Sequence, residues 1–167
     1  MVIVLFGVSG SGKTTVGKLL ANDLGWAFID ADDHHSRDNI TKMAAGIALD
    51  DKDRRAWLEK LQRLVEKALR EQQNMVLACS ALKMAYREQL DVDNEVRFVL
   101  LKASFDTIKS RLETREGHFM GSGLLHTQFD ILEANDLVDL TVDCSLPPEF
   151  CVTVIERWCN EKSLLSN

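Results

Sequence analysis

The apolar run Val2-Ile3-Val4-Leu5-Phe6 leads directly into Gly7-Val8-Ser9-Gly10-Ser11-Gly12-Lys13-Thr14, and no other feature restricts this chain as much. Five consecutive apolar residues, three of them β-branched, read as a strand buried on both faces. The next eight residues fit G-x-x-x-x-G-K-[ST]. Glycines there let the backbone turn with its amides pointing inward. Beyond them, Thr14–Leu24 carries Val16, Leu19, Leu20 and Leu24 at helical spacing. A strand, a glycine loop and a helix in that order build an anion cradle from loop amides and a helix N-terminus. Phosphate-binding chemistry is therefore expected at Gly7, Ser9, Gly10, Ser11, Gly12, Lys13, Thr14 and Thr15. Lys13 is expected to reach terminal phosphates, and the Thr14 hydroxyl to meet Mg²⁺. The implied ligand is a nucleotide, ATP.

The rest of the chain repeats the alternation. Strand-like runs occur at Val2–Phe6, Ala27–Asp30, Met75–Cys79, Val96–Leu101 and Leu137–Val142. Helical patterns occupy Thr14–Leu24, Asp53–Leu69, Ala81–Leu90, Phe105–Arg115, Leu124–Glu133 and Pro148–Cys159. The strongest is Trp57, Leu58, Leu61, Leu64, Val65, Ala68 and Leu69, a single apolar stripe. Alternating strands and helices predict an α/β domain with a parallel sheet and right-handed crossovers. Ligands of such sheets sit beyond the carboxyl ends of the strands. No linker or repeat interrupts the 167 residues, so residues 1–167 read as one domain.

Composition narrows the function classes. The net charge of −6 argues against a broad nucleic-acid surface, which needs a basic face. The N-terminal apolar run is too short for a membrane span and lacks the basic flank of a signal peptide, so a cytoplasmic protein is expected. Cys79, Cys144, Cys151 and Cys159 form no C-x-x-C pair and read as buried, reduced thiols.

The second strand runs into Asp30-Ala31-Asp32-Asp33-His34-His35. If the extension persists, Asp30 and Asp32 share one face. One carboxylate would then serve Mg²⁺, and the other would orient or deprotonate an acceptor hydroxyl. A solvated turn capped by Asp33 or Ser36 is the plainer alternative. His35 reads as a polar substrate contact, since no Cys/His partner set accompanies it.

With these elements in place the chain resembles the gluconokinases, small ATP-dependent sugar-acid kinases. The likeness spans about residues 2–133. It rests on the glycine loop, on Asp30-Ala31-Asp32-Asp33-His34-His35, and on Asn39-Ile40-x-Lys42-Met43-x-x-Gly46-Ile47-x-Leu49-x-Asp51-x-Asp53-Arg54-x-x-Trp57-Leu58. Cys79-Ser80-Ala81-Leu82-Lys83-x-x-Tyr86-Arg87, Arg115-x-Gly117-His118-Phe119 and Thr127-Gln128-Phe129-x-x-Leu132-Glu133 follow in order. Ser36, Ala56 and Ala134-Asn135 stand where the family often carries proline.

The resemblance implies a three-layer P-loop fold of the nucleoside-monophosphate-kinase type, with a five-stranded parallel sheet and a mobile lid near residues 115–124. It also implies transfer from ATP to the 6-hydroxyl of D-gluconate, and a homodimer with no interface legible in the sequence. A sugar acid needs cations, and Arg54, Lys83 and Arg87 are the candidates; Arg offers a bidentate fork and Lys a point charge. On the donor side Arg115 is expected to stabilise the transferring group, with Arg111 second. His118 reads as a lid contact or a packing residue, and Gln128 as a hydrogen-bond partner of a substrate hydroxyl or a helix-face amide. Adenine is expected against Arg111 and the loop after Val142. Two other readings stay open: a kinase of the same fold acting on a shikimate-like acid or a nucleoside, and a nucleotide switch. The chain has no N-K-x-D element of the kind a GTPase switch uses to read its base.

Overall fold

The computed structural model describes residues 1–114, 122–134 and 137–162. Its strands are β1 (Val2–Phe6), β2 (Ala27–Asp30), β3 (Met75–Ala78), β4 (Val96–Lys102) and β5 (Leu140–Asp143). Its helices are α1 (Lys13–Leu24), α2 (Arg37–Ala44), α3 (Asp51–Arg70), α4 (Met84–Leu90), α5 (Phe105–Glu113), α6 (Ser122–Ile131) and α7 (Pro148–Glu161). A short 3₁₀ turn covers Ala31–His34. All strand pairs are parallel, in the order β2-β3-β1-β4-β5.

Central position explains the apolar character of β1, all of whose residues are buried. Alternation sends Ile3 and Leu5 into a core shared with Val16 and Leu20 of α1 and Val152 and Ile155 of α7. Val2, Val4 and Phe6 enter the opposite core with Trp57, Leu58, Leu61 and Val65 of α3. The sheet is therefore the middle of three layers, as expected. The four cysteines are free and buried.

Local chemistry starts and stops the helices. Asp50 and Asp53 form a reciprocal capping box at α3. Ser104 caps α5 through the Thr107 amide. Gly25, at φ 67°, closes α1 in the left-handed region.

Three features differ from expectation. Strand β5 begins at Leu140 and not at Leu137, whose φ of 50° is left-handed and ends any extension there. Helix α2 has no apolar stripe to announce it: its buried residue is Asn39, and Ile40 is half exposed. Ser36 caps it by accepting from the Asn39 amide at 3.2 Å. Strand β2 has its expected limits, Ala27–Asp30, but the extension does not persist to Asp32. The Asp30 carboxylate accepts the Asp32 amide at 3.1 Å and so caps the 3₁₀ turn. Arg115, Gly117, His118 and Gly121, expected in the lid, lie outside the described residues. Among the described residues, no helix is long and apolar enough to cross a membrane.

Candidate active site

Beyond the carboxyl ends of the strands lie two cavities, of about 560 Å³ and about 690 Å³. They share Ser9, Lys13 and Asp32. The larger is walled by the glycine loop and the start of α1, with Thr14, Thr15 and Asp30. Its far side is Arg111, Leu112, Cys144, Leu146, Pro148 and Cys151.

Glycine is required in the loop for reasons of space as well as angle. Gly7 has φ 144°, and a Cβ there would sit 2.6 Å from the Leu101 carbonyl oxygen. Gly10 has φ 81°, and its Cβ would press on Leu112 at 3.0 Å and Ile108 at 3.1 Å. The loop thus lies flat on β4 and α5 because it has no side chains there. Helix α1 begins without a side-chain cap, which leaves its first-turn amides open to an anion. Ser11 Oγ is buried without a hydrogen-bond partner among the described residues.

Lys13 Nζ donates to the carbonyls of Gly7 (3.1 Å) and Val8 (3.0 Å), folded along the loop. Burial holds its ammonium below the usual lysine value, against the pull of Asp32 and Asp30. The Thr14 hydroxyl donates to Asp30 Oδ2 at 2.7 Å. A hydroxyl and a carboxylate at the mouth of a phosphate cradle are the hard oxygen donors that suit Mg²⁺. On this test the residues present fit a magnesium nucleotide. Asp30 and Asp32 reach the same cavity by the 3₁₀ turn and not by the strand alternation expected of them. Arg111 Nη2 donates to the Ser145 carbonyl at 3.3 Å and so borders the slot after β5.

The smaller cavity is lined by Asp32, His35, Arg54, Trp57, Ser80, Lys83 and Gln128, with Ile40, Met43 and Ile47 on its apolar side. His35 stacks on Trp57 at 4.4 Å, nearly parallel. Trp57 is itself anchored by its Nε1 donating to the Ala31 carbonyl at 2.7 Å. Burial, more than the nearby Arg54, pushes the His35 pKa below the usual value, against the pull of Asp32, and so favours the neutral imidazole. Its stack also explains why Trp57 serves the core and the cavity together.

The expected cations behave differently from one another. The Arg54 guanidinium donates to Tyr86 OH at 3.4 Å and forms no ion pair among the described residues. Lys83 Nζ meets both oxygens of Asp51 at 2.8 Å, and Tyr86 OH donates to the same carboxylate. These bonds, that of Lys83 foremost, hold the Asp51 carboxyl below its usual range.

Arg87 does not belong to the cavity. It is fully buried and donates to the carbonyls of Ala81 (2.8 Å), Leu82 (3.1 Å) and Glu133 (2.6 Å). Its guanidinium also lies 4.7 Å from the centre of the Phe6 ring. The expectation of a substrate contact is not met: its Nη1 and Nη2 donate to the backbone of three residues, and Arg87 does not line the acceptor cavity. Gln128 is placed at the cavity, where its Oε1 accepts the Ser9 amide at 2.7 Å. It therefore ties α6 to the phosphate loop as well as facing the acceptor side.

Asp51 and Tyr86 were not singled out from the sequence, although both fall inside the matched blocks. Only their meeting across 35 residues gives them a role, and no local pattern announces it.

Comparison with known proteins agrees with this geometry. Residues 9–127 match the family model described as shikimate kinase. A gluconokinase of Arabidopsis thaliana is 43% identical over 95% of this chain and 93% of its own. Solved structures give the same likeness. A sugar kinase of Janibacter sp. HTCC2649 superposes with a TM-score of 0.89 at 36% identity, covering 99% of this chain and 98% of that one. A gluconokinase of Sinorhizobium meliloti 1021 gives 0.84 at 36% identity, covering 99% and 97%. The cradle, the acidic turn and the acceptor wall all fall within those aligned lengths, and the chain belongs to the gluconokinase family.

Proposed function

We propose that the protein transfers the γ-phosphoryl group of ATP to the 6-hydroxyl of D-gluconate, giving 6-phospho-D-gluconate and ADP. The observation that carries this reading is the junction of the two cavities at Ser9, Lys13 and Asp32. A donor cradle and a polyol-sized acceptor pocket meet there, and the acceptor pocket contains a guanidinium with no carboxylate partner among the described residues.

Phosphoryl transfer is mainly a matter of positioning and charge stabilisation. ATP would lie with its phosphates on Gly7–Thr15 and its adenine in the slot between Arg111 and the Ser145 loop. Thr14 and Asp30 would hold Mg²⁺. When bound, that ion neutralises charge on the phosphate oxygens. The acceptor carboxylate would face Arg54, with Lys83 beside it, and its hydroxyls would meet His35 and Gln128. The 6-hydroxyl oxygen forms the new bond to the γ-phosphorus, the bond to the β,γ-bridging oxygen breaks, and the hydroxyl proton passes to Asp32. Lys13 stabilises the charge on the transferring group. Arg115 and His118 enter this proposal from their places in the matched Arg115-x-Gly117-His118-Phe119 segment, as charge stabiliser and lid contact.

The test is ADP release by the purified protein with Mg-ATP across D-gluconate, other sugar acids, shikimate and nucleosides. Gluconate-dependent turnover well above the rest is expected. No turnover with millimolar gluconate, or preference for shikimate or a nucleoside, overturns the reading.

A further inference from the structure

We propose that Asp51 is an internal competitor for the substrate carboxylate, its own carboxylate occupying the Lys83, Tyr86 and Arg54 constellation that receives the acid group of the acceptor. The inference rests on the functional reading above and adds to it a residue that sets acceptor affinity.

Two groups suited to a carboxylate, Lys83 and Tyr86, bond one already there, and Arg54 bonds Tyr86 beside it. Lys83 Nζ meets both Asp51 oxygens at 2.8 Å, and Tyr86 OH donates to one of them. Arg54 shares the same aromatic ring: its guanidinium carbon lies 5.7 Å from the Tyr86 ring centre and Lys83 Nζ lies 5.6 Å from it. The Tyr86 hydroxyl also accepts from Arg54 Nη1, so it links the two cations. Asp51, Arg54 and Lys83 all line the acceptor cavity.

Among the described residues Asp51 has no other side-chain bond. It stands at the first position of α3, but the capping box there is made by Asp50 and Asp53. Its carboxylate bonds Lys83 and Tyr86, which belong to the start of α4 and its first turn, and does not bond its own helix. The ion pair is also exchangeable. The side chains of Lys83 and Asp51 are 32% and 65% exposed, and pairs this open contribute little to stability. An incoming monocarboxylate brings the same charge and the same two acceptor oxygens. When it binds, Asp51 can turn to solvent while Lys83, Tyr86 OH and Arg54 close on the ligand. With Asp51 in place, Lys83 is neutralised and Arg54 is the uncommitted cation of this wall among the described residues.

Calorimetric binding of D-gluconate to the full chain tests this in the native protein, Asp51→Asn, Asp51→Glu, Lys83→Ala and the Asp51→Asn/Lys83→Ala double variant. Asp51→Asn is expected to bind gluconate about threefold to fivefold tighter, the scale of one exposed ion pair. Asp51→Glu, which keeps the competing charge, is expected near the native value. The double variant is expected to bind no tighter than Lys83→Ala alone. Unchanged or weaker binding by Asp51→Asn, with a native thermal midpoint, overturns the proposal and makes Asp51 a support for Lys83. A gain that persists without Lys83 also overturns it. If Asp51→Asn fails to fold, Asp51→Ser takes its place with the same expected gain. Native protein that binds no gluconate sinks the functional reading and this inference with it, whereas native binding with no gain sinks only the inference.

Discussion

Replacing Arg87 by Met removes five N–H donors from a fully buried site while keeping most of the side-chain volume. In the native chain the guanidinium serves the carbonyls of Ala81, Leu82 and Glu133. The Leu82 carbonyl keeps a second donor, the Glu133 amide at 2.9 Å. The Ala81 and Glu133 carbonyls lose the side-chain donor they have. The orphaned Ala81 carbonyl is buried and costs about 1–3 kcal/mol, whereas Glu133 is exposed and water can replace the donor its carbonyl loses. Loss of the cation over Phe6 adds about 1 kcal/mol. A total near 3 kcal/mol is a large part of the 5–15 kcal/mol typical of a folded domain. At roughly 2–4 °C per kcal/mol for a chain of this size, the thermal midpoint should fall by about 6–12 °C. Arg87→Lys, which keeps a charge but loses the fork, should fall between Met and native. Circular dichroism melts and urea titrations measure this. Initial rates at about 15 °C, below the shifted midpoint, show whether the folded variant still binds gluconate with a near-native KM. A midpoint within about 2 °C of native, together with a steep rise in gluconate KM, would refute the structural role and return Arg87 to the pocket.

Other perturbations divide the site by function. Asp32→Asn should lower kcat by about 10²–10⁴ with little change in melting, because the Asp32 carboxylate bonds no other described residue; a near-native kcat would remove it from the chemistry. Arg54→Ala should raise the gluconate KM by about tenfold to a hundredfold, the scale of hydrogen bonds to a charged group, and leave the ATP KM near native. Gly10→Ala combines φ 81° with a 3.0 Å contact to Leu112, a strain of about 1–3 kcal/mol. Its ATP KM should rise about tenfold, and an unchanged value would mean the loop tolerates a side chain there. Burial pushes the Cys79 thiol up to about 12. Its neutral form is therefore favoured in the folded state, and the associated stability is full below the ordinary thiol value of 9.0 and is lost as pH rises toward 12. Native Cys79 should resist a disulfide reagent at pH 8 and react promptly in urea, and equal rates in both would contradict its burial.

Parts of this molecule were readable before any coordinates because they depend on neighbours in sequence. Val2–Phe6 and Ala27–Asp30 are strands with the expected limits, and the α3 stripe faces the core where its spacing pointed. Helix α2 was not readable, since a helix that buries an asparagine and exposes an isoleucine has no apolar period. The acidic turn was half readable. Asp30 and Asp32 do reach one cavity, but a carboxylate accepting the amide two residues on converts extension into a 3₁₀ turn. That competition between side chain and strand has no periodic signature.

The sequence by itself determined the phosphate loop, because G-x-x-x-x-G-K-T after a strand leaves the backbone little else to do. It also determined the α/β class and the list of polar groups available. Tertiary structure decided which of those groups can meet a ligand. Arg87 and Arg54 look alike on paper, yet one is fixed to backbone carbonyls and the other faces a cavity. The difference lies in where α4 holds Arg87, over Phe6 of β1 and against the Glu133 carbonyl after α6. Lys83 meets Asp51 across 32 residues because α3 and α4 pack side by side. Charge pairing and desolvation depend on distances set by packing between elements far apart in the chain, and no local spacing encodes them.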